Sequence, residues 1–482
     1  MQVSDPKEPS MLYLSDRSRM NLGLTWCPRA RYLEFSSGPV GYGIRSKRRA
    51  IPLATGSGIH KPLELALRHM KEHGEVPSRE AFRPMVVEAI AEYFSLVEKR
   101  GFMNHTDDQT QKIMQEQRCL IEGLSWTAWK ILLPPIHEHY AVVHVEQEDV
   151  LVWDCDCGLG EMLGDYTEHE AKGCGGIGIQ VRPDAGLRRR SDSALCVLDW
   201  KSDGNVHKYN WQESFRLNIQ MAFQVMSLER LMQEPVQGGV FIAGLHKGWR
   251  ATEKTDQDGV WVGVEGSPTT EKYQASVMCY GYQKPANPPL EPEEWRSEYY
   301  YSEWDEKKQK MVGRNLKGKG YSKVGLWLAN FPDKPKSWSS MEHWVENYLS
   351  DETVAKQVKL AGPLHAPEHL FEALKRAGTA NEQRVRESLW ALWEVSEATG
   401  GEFSHPDFQA ALDIHFPQTW DCQRYNTKCQ FVPICDRQAG WEDPLGTGMY
   451  ELRRPHHEAE RLQLTSRGVE LPPEQDEDEV QE

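Results

Sequence analysis

Residues 182–202, RPDAGLRRRSDSALCVLDWKS, restrict this chain's fold more than any other stretch, because two strand-forming runs flank the short polar turn Ser191-Asp192-Ser193. A turn centred between Ser191 and Asp192 leaves Asp184 and Asp199 equally far from its centre, so the two residues are directly opposed across an antiparallel hairpin. Opposed residues share one face of the sheet, with Cβ atoms roughly 4.5–5.5 Å apart. Side chains alternate along a strand, so Lys201 projects to the face of Asp199. Two carboxylates that close repel unless one is protonated or a cation lies between them. The numbering thus predicts two acids and a lysine converging at the end of a strand whose preceding residues read as buried, where charge is costly unless compensated.

Hard carboxylate oxygens suit Mg²⁺ or Mn²⁺, and a metal so held activates water and stabilises charge on a phosphoryl oxygen. A nearby ammonium orients the water or stabilises the transition state. A surface hairpin with a cross-strand Asp–Lys pair would carry the same residues, because acid-x-Lys triplets recur by chance. Other signals join the hairpin. Upstream, GSGIHKPLELAL sets Gly56 and His60 at the opening of a helix, where glycine permits close backbone approach and an imidazole can ligate. Downstream, Arg216, Gln220 and Gln224 form an i, i+4, i+8 polar stripe on an otherwise apolar helix.

The surrounding pattern is helical from Lys61 to Pro134, then strand-like in YAVVHVEQEDVLVW, IGIQVRPDAGLRRR and ALCVLDWKS, then a helix through SFRLNIQMAFQVMSLERLMQ and a strand at GGVFIAGL. This order predicts an α/β fold whose core sheet carries an antiparallel hairpin. We divide the chain into an N-terminal segment (1–19), the core (20–246), an appended β-rich basic and aromatic region (247–335), a C-terminal helical region (336–440) and an acidic tail (441–482). From Glu470 onward the acidic, proline-containing composition predicts disorder.

GSGIH, then RPDAGLRRRSDSALCVLDWKS, then NIQMAF resemble the successive motifs of the RecB-like PD-(D/E)XK nucleases. The resemblance implies a restriction-endonuclease-like core sheet with flanking helices and metal-dependent phosphodiester cleavage. It also implies that His60, Asp184 and Asp199 hold Mg or Mn, with Lys201 and Gln220 completing the catalytic set and Glu146 standing where some members carry an additional acid. A tyrosine often follows the glutamine by four residues, and Gln224 stands there instead. The implied substrate is single-stranded DNA or DNA ends, in recombination, repair or phage replication.

Ten cysteines in a chain whose start shows no signal-peptide pattern point to thiols or metal ligands more than to disulfides, and to the cytoplasm. Cys27 precedes the nuclease motifs, and Cys422, Cys429 and Cys435 follow them. That arrangement resembles the iron–sulfur branch of the family, which includes AddB and the CRISPR-associated adaptation nucleases. It implies a [4Fe-4S] cluster joining the terminal regions, with zinc as the alternative. Cys155, Cys157, His169 and Cys174 could ligate zinc in an insertion between two strands, although their spacing fits no strong zinc pattern. Cys119, Cys196 and Cys279 read as ordinary buried small residues.

The net charge of −16 argues against a general positive field for nucleic acid, so DNA contacts must come from local patches. Arg45, Lys47, Arg48 and Arg49 form one, and Lys317 and Lys319 belong to another that follows the aromatic run EYYYSEW. A solvated β-ribbon explains the second patch nearly as well. GRNLKGKG almost matches a phosphate-binding loop, but Gly320 replaces the required Ser/Thr. No helicase motif occurs, so a motor or integration protein would be a separate partner chain. No apolar run predicts a membrane span. These features together predict a deoxyribonuclease; a DNA-binding or assembly subunit of the same fold that does not cleave is the alternative.

Overall fold

The computed structural model describes residues 12–21, 27–35, 43–48, 50–102, 106–159, 166–203, 211, 215, 218–246, 252–255, 261–265, 300–305, 310–315, 320–321, 358–365, 368–419, 423–424, 427–455, 457–466 and 471–472. The chain begins with β1 (Tyr13–Asp16), α1 (Arg17–Asn21), α2 (Pro28–Phe35) and β2 (Ile44–Ser46). Three long helices follow, α3 (Ile51–His73), α4 (Arg79–Arg100) and α5 (Asp107–Ile131), and then the short α6 (Leu133–His139). Local chemistry sets their ends. Ser78 Oγ accepts from Ala81 N at 3.2 Å to cap α4, and Gly74, at φ 72°, closes α3 with its N–H on Met70 O at 2.9 Å. Because Pro52 starts α3 early, Gly56 and His60 lie within the helix and not at its opening as expected. Gly58 is where α5 crosses, since a Cβ there would stand 2.6 Å from Ile121 Cδ1.

The next elements are β3 (Tyr140–Val145), β4 (Asp149–Trp153), α7 (Tyr166–Ala171), β5 (Ile177–Val181), β6 (Ala185–Arg189), β7 (Leu195–Asp203), α8 (Ile219–Met232) and β8 (Val240–His246). After β8 come the antiparallel pair β9 (Thr252–Thr255) and β10 (Trp261–Glu265), then a meander of β11 (Tyr300–Asp305), β12 (Lys310–Asn315) and β13 (Gly320–Tyr321). β14 (Val358–Leu364) follows, within the region expected to be helical. It pairs antiparallel with β8, so that region supplies an edge strand to the central sheet.

That sheet has five strands in the order β14-β8-β7-β6-β3. β6 and β7 form the expected hairpin, and the register Ala185↔Leu198 to Arg188↔Leu195 sets Asp184 opposite Asp199 on the next rung. β7 and β8 run parallel, joined through α8. Alternation gives the sheet two apolar faces. Leu187, Cys196, Leu198, Trp200 and Ala243 pack on the α3–α6 layer, while Leu195, Val197, Val240 and Ile242 pack on Met221, Val225 and Leu228 of α8.

Two sequence runs expected to be single strands are each broken in two. YAVVHVEQEDVLVW splits at Glu146, which has φ 48°, and IGIQVRPDAGLRRR splits at Pro183, which has no N–H for a ladder. β3 and β6 stay in the central sheet, whereas β4 and β5 enter a three-stranded sheet of order β1-β5-β4. This second sheet presents Leu151, Trp153, Ile177 and Ile179 to Phe223 of α8 and Met20 of α1, with the Trp153 and Phe223 ring centroids 5.5 Å apart. α8 is thus packed between the two sheets.

The C-terminal elements are α9 (Glu368–Ala398), α10 (Pro406–His415), β15 (Gln423–Arg424), β16 (Thr427–Lys428), α11 (Val432–Cys435), β17 (Tyr450–Leu452) and α12 (Glu458–Ser466). Tyr32 and Leu33 of α2 share a core with Leu392, Phe408, Leu412 and Phe416, and β2 pairs with β17. Arg31 and Glu382 form a fully buried pair, Nη1 to Oε1 at 2.7 Å. The divisions at 1–19 and 441–482 therefore need correction. β1 belongs to the smaller sheet, and β17 and α12 are folded, Ala459 packing with Leu12 and Leu14. The acidic stretch from Glu470 lies outside the described residues except Leu471 and Pro472. No described helix is long and apolar enough to cross a membrane.

Candidate active site

Midway along β7 the buried carboxylate of Asp199 meets three side chains. Lys201 Nζ lies 2.5 Å from Oδ2, and Oδ1 accepts from Gln220 Nε2 at 3.1 Å and Gln224 Nε2 at 2.9 Å. α8 supplies both glutamines because Asn218 Oδ1 caps it by accepting from Gln220 N at 2.9 Å, and residues four apart share a helix face. Gln224, at the position where the resembled family often has tyrosine, thus bonds the same acid as Gln220. Gln220 also joins this site to α1, since its Oε1 accepts from Arg17. Arg216 lies outside the described residues.

Asp184 lies across the hairpin, just beyond the end of β6. Its Oδ2 accepts from Trp200 N at 2.8 Å, in place of a ladder carbonyl. Glu146 stands beside it, because Glu146 N donates to Asp184 O at 3.2 Å where both long runs break. Arg182 Nε lies 3.0 Å from Glu146 Oε2. Burial pushes the carboxyls of Asp184 and Asp199 up, with Lys201 the principal opposing influence on each. Burial lifts Glu146 well above the usual carboxylate range; Asp184 and Glu64 add to the rise, and Arg182 and Arg68 oppose it.

Glu64 belongs to α3, where it pairs with Arg68 at 2.7 Å. Gly56, His60, Glu64 and Arg68 follow one another at four-residue spacing and so share a helix face. One end of that stripe adjoins β7, since a Cβ on Gly56 would lie 3.9 Å from Ser202 Oγ, and the other end faces Glu146. His60 is carried between them.

These are hard oxygen donors whose charges are costly in a buried setting and only partly offset by neighbouring cations, which is the donor chemistry a divalent ion suits. Of the expected trio, Asp184 and Asp199 face each other across the hairpin, and His60 lies on the α3 stripe beside them. The oxygens of Asp199 are held in place by Lys201 and the two glutamines.

Among the described residues, Cys155, Cys157, His169 and Cys174 bring their ligand atoms within 4.8 Å of one another and can hold a metal ion. The Sγ atoms of Cys155 and Cys157 are 3.3 Å apart and lie 3.4 Å and 3.3 Å from His169 Nδ1. The chain turns sharply after β4, with Asp154 at φ 53° and Gly158 at φ 79°. α7 delivers His169, and Cys174 N donates to His169 O at 3.0 Å to bring the last thiol in.

Cys27, Cys429 and Cys435 are half-buried and border the single core that joins α2 to α9 and α10, whereas Cys422 lies outside the described residues. Cys196 is buried, as expected. Of the basic patches, Arg45 is committed to Glu451 at 2.9 Å, Lys47 and Arg48 are exposed, and Arg49, Lys317 and Lys319 lie outside the described residues. Sequence reasoning missed Glu64, Arg68, Arg182 and Arg17. The signal for Glu64 was its place one turn after His60. Comparison of the sequence with models of known protein families finds no match, and none of the curated proteins matches it.

Proposed function

We propose that this chain is a metal-dependent deoxyribonuclease of the RecB-like PD-(D/E)XK type. The observation that carries this reading is the meeting of Asp199, Lys201 and Asp184 at the end of one hairpin, with Lys201 Nζ 2.5 Å from Asp199 Oδ2 and the two acids on facing positions. Asp184, Asp199 and Glu146 are the carboxylates that would hold Mg²⁺ or Mn²⁺, with His60 as a further donor. Such an ion supplies Lewis acidity and a water nucleophile at neutral pH. The chain's own residues do the positioning. Gln220 and Gln224 fix the Asp199 carboxylate, Trp200 N fixes that of Asp184, and Lys201 carries the positive charge available to a phosphoryl oxygen. Lys47, exposed beside the Arg48–Asp107 pair, is placed to meet a DNA backbone.

Cys27, Cys422, Cys429 and Cys435 would hold a [4Fe-4S] cluster, supported by three of these thiols bordering one core that joins the two ends of the chain. Iron and acid-labile sulfide after anaerobic purification test that assignment, and zinc in their place would indicate a zinc-bound variant of the site.

Labelled single- and double-stranded DNA with Mn²⁺ or Mg²⁺ tests the activity. Hydrolysis by the wild type that Asp199→Ala abolishes is expected. If the wild type cleaves no faster than this variant yet still binds DNA, the non-cleaving role replaces the proposal.

A further inference from the structure

We propose that Cys155, Cys157, His169 and Cys174 bind one zinc ion, which serves as a structural clamp on the β1-β5-β4 sheet. This inference does not rest on the nuclease reading. Three thiols and an imidazole form one of the ligand sets of structural zinc sites, and four protein ligands leave no position open for substrate. The donor separations decide between an ion and a cluster. Four ligands roughly 2.0–2.3 Å from one tetrahedral ion lie roughly 3.3–3.8 Å from one another. The three separations of 3.3–3.4 Å fall at that scale, and all four donor atoms lie within 4.8 Å of one another. A [4Fe-4S] cluster attaches each ligand to a different iron and a [2Fe-2S] cluster attaches two ligands to each of two irons, so either needs some of its donors spread farther apart than a single ion does.

The surroundings are built for a fixed, water-poor site. His169 and Cys174 are fully buried. Gly175 N donates to Asp156 Oδ1 at 2.8 Å, tying the two halves of the connection together beneath the ligands. Two contacts from α9 brace the same turn, Arg386 Nη1 to Gly175 O at 2.9 Å and Gln383 Nε2 to Asp154 Oδ2 at 2.5 Å. Cys155 and Cys157 pack against the core formed by Leu12, Leu14, Val150, Val152 and Ala459. An ion here would therefore join the stems of β4 and β5 where β1 and α12 also meet.

The test is metal analysis of the full chain purified without added metal, followed by replacement of zinc with Co²⁺. About one zinc per chain from this site is expected, with the intense visible absorption of a tetrahedral cobalt–thiolate centre after replacement. Cys155→Ser combined with Cys157→Ser should remove about one zinc per chain, whereas Cys27→Ser should leave that zinc in place. If the double variant fails to fold, His169→Cys serves instead, and it should retain zinc while shifting the cobalt bands. The proposal is overturned if the wild-type chain carries no zinc and takes up no Co²⁺, if loss of both cysteines leaves the zinc content per chain undiminished, or if His169→Cys leaves the cobalt spectrum unchanged. Loss of iron and sulfide, rather than zinc, from the double variant would likewise overturn it.

Discussion

The carboxylate site on β7 and the thiol–imidazole group beyond β4 lie on the two sheets that α8 holds together, yet they are assembled in opposite ways. The acids come from four separate elements or their ends: Glu64 on α3, Glu146 after β3, Asp184 before β6 and Asp199 within β7. Each has a cation nearby, from Lys201, Arg68 or Arg182. The thiols and imidazole come from one connection of about two dozen residues and converge on a point. Anionic donors gathered from distant segments repel until something offsets them, whereas thiols and a neutral imidazole can approach closely before any ion arrives. The first group therefore suits an ion that shares its ligands with a substrate, and the second suits one that is permanently enclosed.

Removing the acid should separate the two sites most sharply. Asp199→Asn is expected to lower DNA hydrolysis about 10²–10³-fold or more without releasing zinc, as followed by cleavage of labelled DNA and metal content. The Cys155→Ser, Cys157→Ser pair should do the converse, lowering the melting temperature while hydrolysis, assayed well below the new midpoint, falls less than in Asp199→Asn.

A structural control lies at the junction of the termini, where Glu382→Gln strands the Arg31 guanidinium. Denaturant unfolding should show a loss of about 3–5 kcal/mol, with hydrolysis of the folded fraction unchanged. A smaller effect is expected for Gln224→Leu, which removes one of the two donors to Asp199 Oδ1 and should cost about 1–3 kcal/mol of stability in the same experiment.

The smallest effect concerns acid. Burial works to raise the Asp16 carboxyl, but Arg19 and His457 outweigh it and hold the group below the usual range; His457 does the same for Glu148 against its own burial. A depressed carboxyl stabilises the fold above its unfolded value, about pH 4, and that contribution fades as pH falls through the lower folded value. Asp16→Asn should therefore lower the melting temperature at neutral pH and flatten its further decline below about pH 4, as followed by thermal unfolding across that range.

The hairpin register was legible in the sequence because a short polar turn fixes it by counting, and the polar residues of α8 were legible because they interrupt an apolar helix. The division of two runs between two sheets was not, since strand-like periodicity persists across Glu146 and Pro183 while the partner strand is decided by distant packing. β14 lay unnoticed between helical patterns, because an edge strand of seven residues gains its identity only from β8. The thiol group had a spacing, C-x-C-x11-H-x4-C, that matches no compact finger, because α7 intervenes and delivers the histidine. Glu64 needed the knowledge that α3 lies across the end of β7.

The hydrogen bond from Glu146 N to Asp184 O means that the chain departs for the smaller sheet and returns from it at almost the same place. The whole excursion from β4 to β5 is thus a graft with adjoining roots. Its length and content could vary between descendants of such a chain without shifting the hairpin, provided that Arg230 and Phe223 of α8 found substitutes for their present anchors, Asp149 and Trp153.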